Sequence, residues 1–316
     1  MTTFRGFQQH DFDAYAPQKW RSNVYNLERM QAKDKLLCLG RDLSPLLPTP
    51  DAEPLSLEAS MEHPAVWNGN QVSEQSIYFI RPEAERQELR GRLAKSQSIS
   101  SLLAEPAPYR DHVHLCIVLR QDDLAVGLSL HREAMVDWQN SAKRTGDAWQ
   151  LQSFLDRVHR LDEAFLLSLH GGEPIAPKTL TAESLKGALA AEAPSRTGPS
   201  KPVLQLVRRY PRSDPSLMEP SFLERLREDL AALLPLYAFL AWSRQHDLVS
   251  VKETIKEEKK AKKARGLSRD DEIRVTRGLF SGKTGTILEV DDRGGLKVRL
   301  GAMVVKLEAA DVAHLG

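Results

Sequence analysis

The chain has 316 residues, 41% hydrophobic and 28% charged, with 44 Lys and Arg against 43 Asp and Glu for a net charge of +1. That hydrophobic share excludes global disorder, and the length suits two domains. A neutral total supplies no whole-chain field for nucleic acid or anionic lipid, although an average can conceal segregated charge.

The N-terminal MTTFRGFQQHDFD lacks the charged-then-apolar plan of a secretory leader. Residues 20–39 are expected to form a helix with Trp20, Val24, Leu27 and Met30 on its apolar face, continuing through Leu36, Leu37 and Leu39. Five prolines in residues 44–64 predict an irregular surface connection. Ile77–Ile80 is a short strand, and Pro82 opens a helix. Residues 113–119 and 124–130 form a predicted hairpin around RQDD. MVDWQNSAKR and SFLDRVHRLDEAFLLSL are predicted helices, the second N-capped by Ser153 with Asp156 three residues on. A loop over 193–202 precedes the strand VLQLVRRY. Ser221 and Glu224 predict a capping box opening a long helix, with a kink at Pro235. The longest apolar run, Leu230 to Trp242, is too short to cross a bilayer. The expectation is a cytoplasmic protein with no membrane partner.

Charge is segregated. Residues 250–266 carry seven Lys and Arg against three Glu, the 249 residues before them are net −3, and the 50 after them are neutral. The 250–266 segment is expected to be a solvated helical spacer. Its Lys259, Lys260, Lys262, Lys263 and Arg265 are the candidates for nucleic-acid contact, on charge alone.

After the spacer come short strand runs: Glu272–Thr276, Thr284–Val290, Leu296–Leu300 and Met303–Leu307, with an Ala309–Val312 turn at the close. Alternation places Ile273, Val275, Ile287, Val298, Leu300 and Val305 inward. Strands this short bury little as a flat sheet, which favours a small closed barrel. The segment Asp271-Glu-Ile-Arg-Val, followed by Gly278-Leu-Phe-Ser-Gly-Lys-Thr-Gly-Thr-Ile, resembles a KOW domain, the SH3-like barrel of NusG-type transcription factors and certain ribosomal proteins. Gly282, Gly285 and Ile287 match the motif core and Phe280 its loop aromatic, while Asp270 stands where the family often has glycine. The likeness covers residues 269–314. It implies docking on RNA, ribosomal proteins or transcription-termination factors; Phe280 at a loop tip makes Arg277, Leu279, Phe280, Ser281 and Lys283 the expected contact loop. Phe280 packing into its own core is the competing expectation. Gly278-Leu-Phe-Ser-Gly-Lys-Thr is one residue short of a phosphate-binding loop and leads into a strand, so nucleotide binding is not expected there.

In the large region, strict alternation along 111–119 and the hairpin register place His112, His114, Cys116, Ser129 and His131 on one sheet face. Imidazole and thiolate are zinc ligands, so His112, His114, Cys116 and His131 form a metal candidate. A partly exposed polar face, with Cys116 as a small buried hydrophobe, is the plainer reading. No CxxC pair or disulfide framework accompanies it, and no hydrolase or dinucleotide-binding motif is present. The segment Phe7-Gln-Gln-His-Asp-Phe-Asp-Ala-Tyr, the helix end LLCLGRDL and the later VRRYPRSDPSL are similar to uncharacterised conserved bacterial families with an α+β fold; the likeness implies no activity.

The sequence therefore predicts an α+β domain over 1–249, a basic helical spacer over 250–266 and an all-β SH3-like (KOW) barrel over 267–316. The expected function is a non-enzymatic accessory factor docking on a ribosomal or RNA polymerase-associated protein, or on RNA, with no cofactor. The alternative is a metal-dependent (zinc) or acid–base enzyme working from the histidine face.

Overall fold

The computed structural model describes residues 4–47, 54–60, 64–66, 71–93, 108–190, 201–248, 269–276, 278, 280–290, 295–301, 303–308 and 311–315. It divides into two compact units, Met1–Leu248 and Val249–Gly316. The expected 193–202 loop lies outside the described residues except for Lys201 and Pro202, and the 250–266 spacer lies wholly outside them.

The first unit is α+β. Its strands are β1 (Ser56–Ala59), β2 (Glu74–Ile80), β3 (His114–Arg120), β4 (Asp123–Leu130), β5 (Phe165–Leu169) and β6 (Leu204–Pro211). They form one antiparallel sheet in the order β1-β2-β3-β4-β6-β5. Its helices are α1 (Gln9–Asp13), α2 (Asn26–Leu43), α3 (Glu83–Leu93), α4 (Met135–Arg144), α5 (Ala148–His159), α6 (Ala182–Ala190) and α7 (Phe222–Leu240).

Alternation gives the sheet two buried faces. Ile77, Phe79, Leu115, Ile117, Val126, Leu128 and Leu206 enter the main core with Leu36 and Leu39 of α2 and Leu226, Leu230, Leu233 and Tyr237 of α7. The opposite face holds a second cluster, Tyr78, Ile80, Cys116, Val118 and Ala125, with Tyr109 and Val207 against it. Among the described residues no helix is long and apolar enough to cross a membrane.

Several local expectations need correction. Helix α2 starts only at Asn26, not at residue 20: Val24 lies ahead of it and is 85% exposed, Leu27 in its first turn is 70% exposed, and Arg29 is buried, while Leu36 and Leu39 face the core as expected. The Arg29 guanidinium donates to the carbonyls of Pro64 and Ser22, and those bonds set the helix rotation. The proline-rich 44–64 stretch is not wholly irregular, because β1 lies inside it and pairs with β2. Helix α5 starts earlier than Ser153; Asp147 is its N-cap and accepts from the Gln150 amide at 2.8 Å. Residues 165–169, expected to continue that helix, are strand β5. The Ser221–Glu224 capping box does not form, since Ser221 already has helical dihedrals and donates to Glu219. Helix α7 runs through Pro235 to Leu240.

The second unit is an antiparallel sheet of β7 (Glu272–Val275), β8 (Thr284–Val290), β9 (Gly295–Leu300), β10 (Met303–Glu308) and β11 (Val312–His314), in the order β10-β9-β8-β7-β11. Strand β11 stands where only a closing turn was expected. Ile273, Val275, Ile287, Leu296, Val298 and Leu300 form its core, with Phe280, Val305, Leu307 and Val312 packed against them.

Candidate functional site

The hairpin register places His114 opposite Ser129 and Cys116 opposite Gly127, as alternation requires. His112, His114, Cys116, Ser129 and His131 are all buried. The His114 and His131 rings stack with centroids 5.6 Å apart and planes within 14°. His114 also meets two tyrosines edge-on, Tyr78 at 5.1 Å and Tyr109 at 5.4 Å, and those two stack on each other at 3.9 Å. Its Nδ1 lies 3.1 Å from the His112 carbonyl oxygen. The tyrosine pair was not legible, because Tyr109 reaches the face from the loop before β3.

Burial sets the electrostatics here. It pushes His114 down to about 4 and His131 down to about 3; the neighbouring His114 ring and the Arg110 guanidinium lower His131 further. Burial likewise raises the Cys116 thiol to about 12, so it stays protonated and unreactive. Asp111 at the hairpin's open end is raised to about 6, by burial and then by Glu133. At neutral pH the site is thus two uncharged imidazoles walled by aromatic rings. Among the described residues, no group of three or more His, Cys, Asp and Glu side chains is placed to hold a metal ion.

A separate polar centre pins the edges of this region. Asp137 of α4 receives the Arg81 guanidinium, the Val113 amide at 2.8 Å and the Trp242 amide at 2.7 Å. Arg81 also donates to the Trp242 carbonyl at 3.2 Å. Arg81 and Asp137 are both buried, so the pair holds together the end of β2, the start of β3 and the chain after α7.

In the second unit, the loop after β7 is organised by its own backbone. The Gly282 amide donates to the Val275 carbonyl at 2.7 Å, and the Val275 amide to that of Lys283 at 2.8 Å. Gly282 has φ of +87°, which glycine adopts without penalty. Gly285 serves another need: a Cβ there would lie 2.4 Å from the Arg299 carbonyl oxygen and 2.5 Å from Leu300. Asp270 has φ of +72°, and its amide donates to Ile287 at 2.8 Å.

Of the predicted contact loop, Phe280 is half-buried against its own core, with the Lys283 ammonium 5.9 Å from its ring centroid. Ser281 is exposed and donates to the Thr276 carbonyl at 3.2 Å. Arg277 and Leu279 lie outside the described residues, as do Lys259, Lys260, Lys262, Lys263 and Arg265. Alternation in LKVRL and MVVKL also turns Lys297, Arg299 and Lys306 outward, a basic strip that the neutral total of the segment concealed. No protein-family model and no curated protein matches this chain.

Proposed function

We propose that the second unit is a KOW-like, SH3-like barrel through which the protein docks, as a non-enzymatic accessory factor, on transcription or ribosomal machinery. Its partner is a ribosomal or RNA polymerase-associated protein, with RNA as a secondary contact. The observation that carries this reading is the backbone at the motif positions. The family often has glycine where this chain has Asp270, and that residue is left-handed here. Gly282 is left-handed and Gly285 is sterically obligatory, so the motif residues stand where the geometry demands them. Phe280 and Lys283 then form an aromatic and cationic knuckle on a loop fixed by its own hydrogen bonds.

The test is affinity capture with the tagged full chain, comparing parent with F280A/K283E. Ribosomal or polymerase components should be recovered by the parent and reduced at least fivefold with the variant. Their absence from the parent capture, or equal recovery by both, rejects the reading.

A further inference from the structure

Strand β10 is an edge. Among the described residues it pairs with β9 alone, so its far side offers backbone donors and acceptors to an added strand. It also carries two exposed apolar side chains, Met303 at 48% and Val304 at 51%. On the face turned away from the core, Lys306 lies directly across from Lys297, and Val304 across from Arg299. Like charges opposed on a sheet repel. Lys297 has Glu289 at 3.7 Å, whereas Lys306 and Arg299 have no ion-pair partner among the described residues. On the other face of β10, Val305 and Leu307 pack against the core beside Met303.

We infer that β10 accepts, by strand addition, an extended acidic peptide whose acidic residues alternate with apolar ones. The acidic set faces Lys306, Lys297 and Arg299, and the apolar set continues the row of Met303, Val305 and Leu307. A second copy of this chain is a poor occupant, because its own β10 brings Lys306 to a strip that is already cationic. RNA is less well matched: among the described residues no aromatic ring shares the cationic face, so bases find no stacking platform there. The inference rests on the docking reading above and narrows the partner to an acidic strand.

Fluorescence anisotropy with the full chain tests it, using a capped (Glu-Val)4 peptide as probe. Controls are a Glu4Val4 block peptide, a (Lys-Val)4 peptide, (Glu-Val)4 N-methylated on alternate residues in either frame, and a 12-nucleotide single-stranded RNA. The alternating acidic peptide should bind at least tenfold more tightly than the block and lysine peptides. Methylation in one frame should abolish binding, and K297E/K306E, with the circular dichroism spectrum of the parent, should weaken it at least tenfold. The milder K306Q should weaken it less. Equal binding of the block peptide, or unchanged binding by K297E/K306E, overturns the inference. RNA binding that outcompetes the peptide and is lost in K297E/K306E makes the strip a nucleic-acid surface and overturns it as well. Machinery captured by the full chain but not displaced by the peptide rejects this inference alone. Specific peptide binding without such capture rejects the docking reading alone.

Discussion

His114 and His131 make the first unit sensitive to acid. In the unfolded chain both rings take up protons near pH 6.5, whereas in the fold they do so only near 4 and 3. Between those limits the unfolded chain binds more protons, so stability is full above pH 6.5 and falls as pH drops towards 4. The expected loss from pH 7 to pH 4 is on the order of 3 kcal/mol for each ring. Asp111, raised to about 6, works in the opposite direction and partly offsets it. Urea titrations at pH 7, 5.5 and 4.5 should show a shallower decline for H131N than for the parent; identical slopes would remove the histidine from the explanation. Asp270 offers a second residue-scale test. Its left-handed backbone is tolerated by aspartate but easier for glycine, so D270G should stabilise the second unit by about 0.5–1 kcal/mol and D270A should destabilise it. Thermal melts of both variants decide this.

Elements divide into those that periodicity determines and those set by distant partners. The register of the β3–β4 hairpin was legible, joining His114 to Ser129 and Cys116 to Gly127, while its strands run to Arg120 and from Asp123, one residue beyond the expected 119 and 124. Strand β5 was not: Phe165-Leu-Leu-Ser-Leu is a mostly apolar run after a helical pattern, and pairing with β6 makes it a strand. Strand β1 is likewise made by β2, and the rotation of α2 by backbone carbonyls that accept from Arg29. Of the candidate face, the histidines were legible and their tyrosine wall was not. Asp137 belongs with the illegible set, since its three partners come from distant segments. Removing one member of a buried ion pair strands the other charge, so D137A should cost about 3–5 kcal/mol, while the apolar double substitution R81M/D137L should cost less. Equal losses in denaturant titrations would show that the pair adds nothing beyond packing.

At the scale of the whole chain, the change from mixed spacing to short alternating strands made the two-unit plan legible, and the two cores differ greatly in size. The second unit rests on six fully buried apolar side chains among the described residues, so its stability is modest. Calorimetry of the full chain should show two transitions. G285A, by forcing a Cβ against the Arg299 carbonyl, should lower only the smaller one. D137A should lower only the larger. A single transition shifted by both variants would mean that the units melt as one.

Sheet order in the first unit also has a consequence for synthesis. Strand β6 lies between β4 and β5, and its register joins Leu130 to Leu204. When β4 leaves the ribosome its hairpin partner β3 is already present, but the strand that covers its other edge emerges more than 70 residues later. Until then the nascent chain presents an apolar sheet edge, and α7, which supplies much of the core, comes later still. Any fragment ending before Leu204 keeps that edge permanently, so shortened forms should accumulate as aggregates. The body thus completes its folding only near the end of its own synthesis.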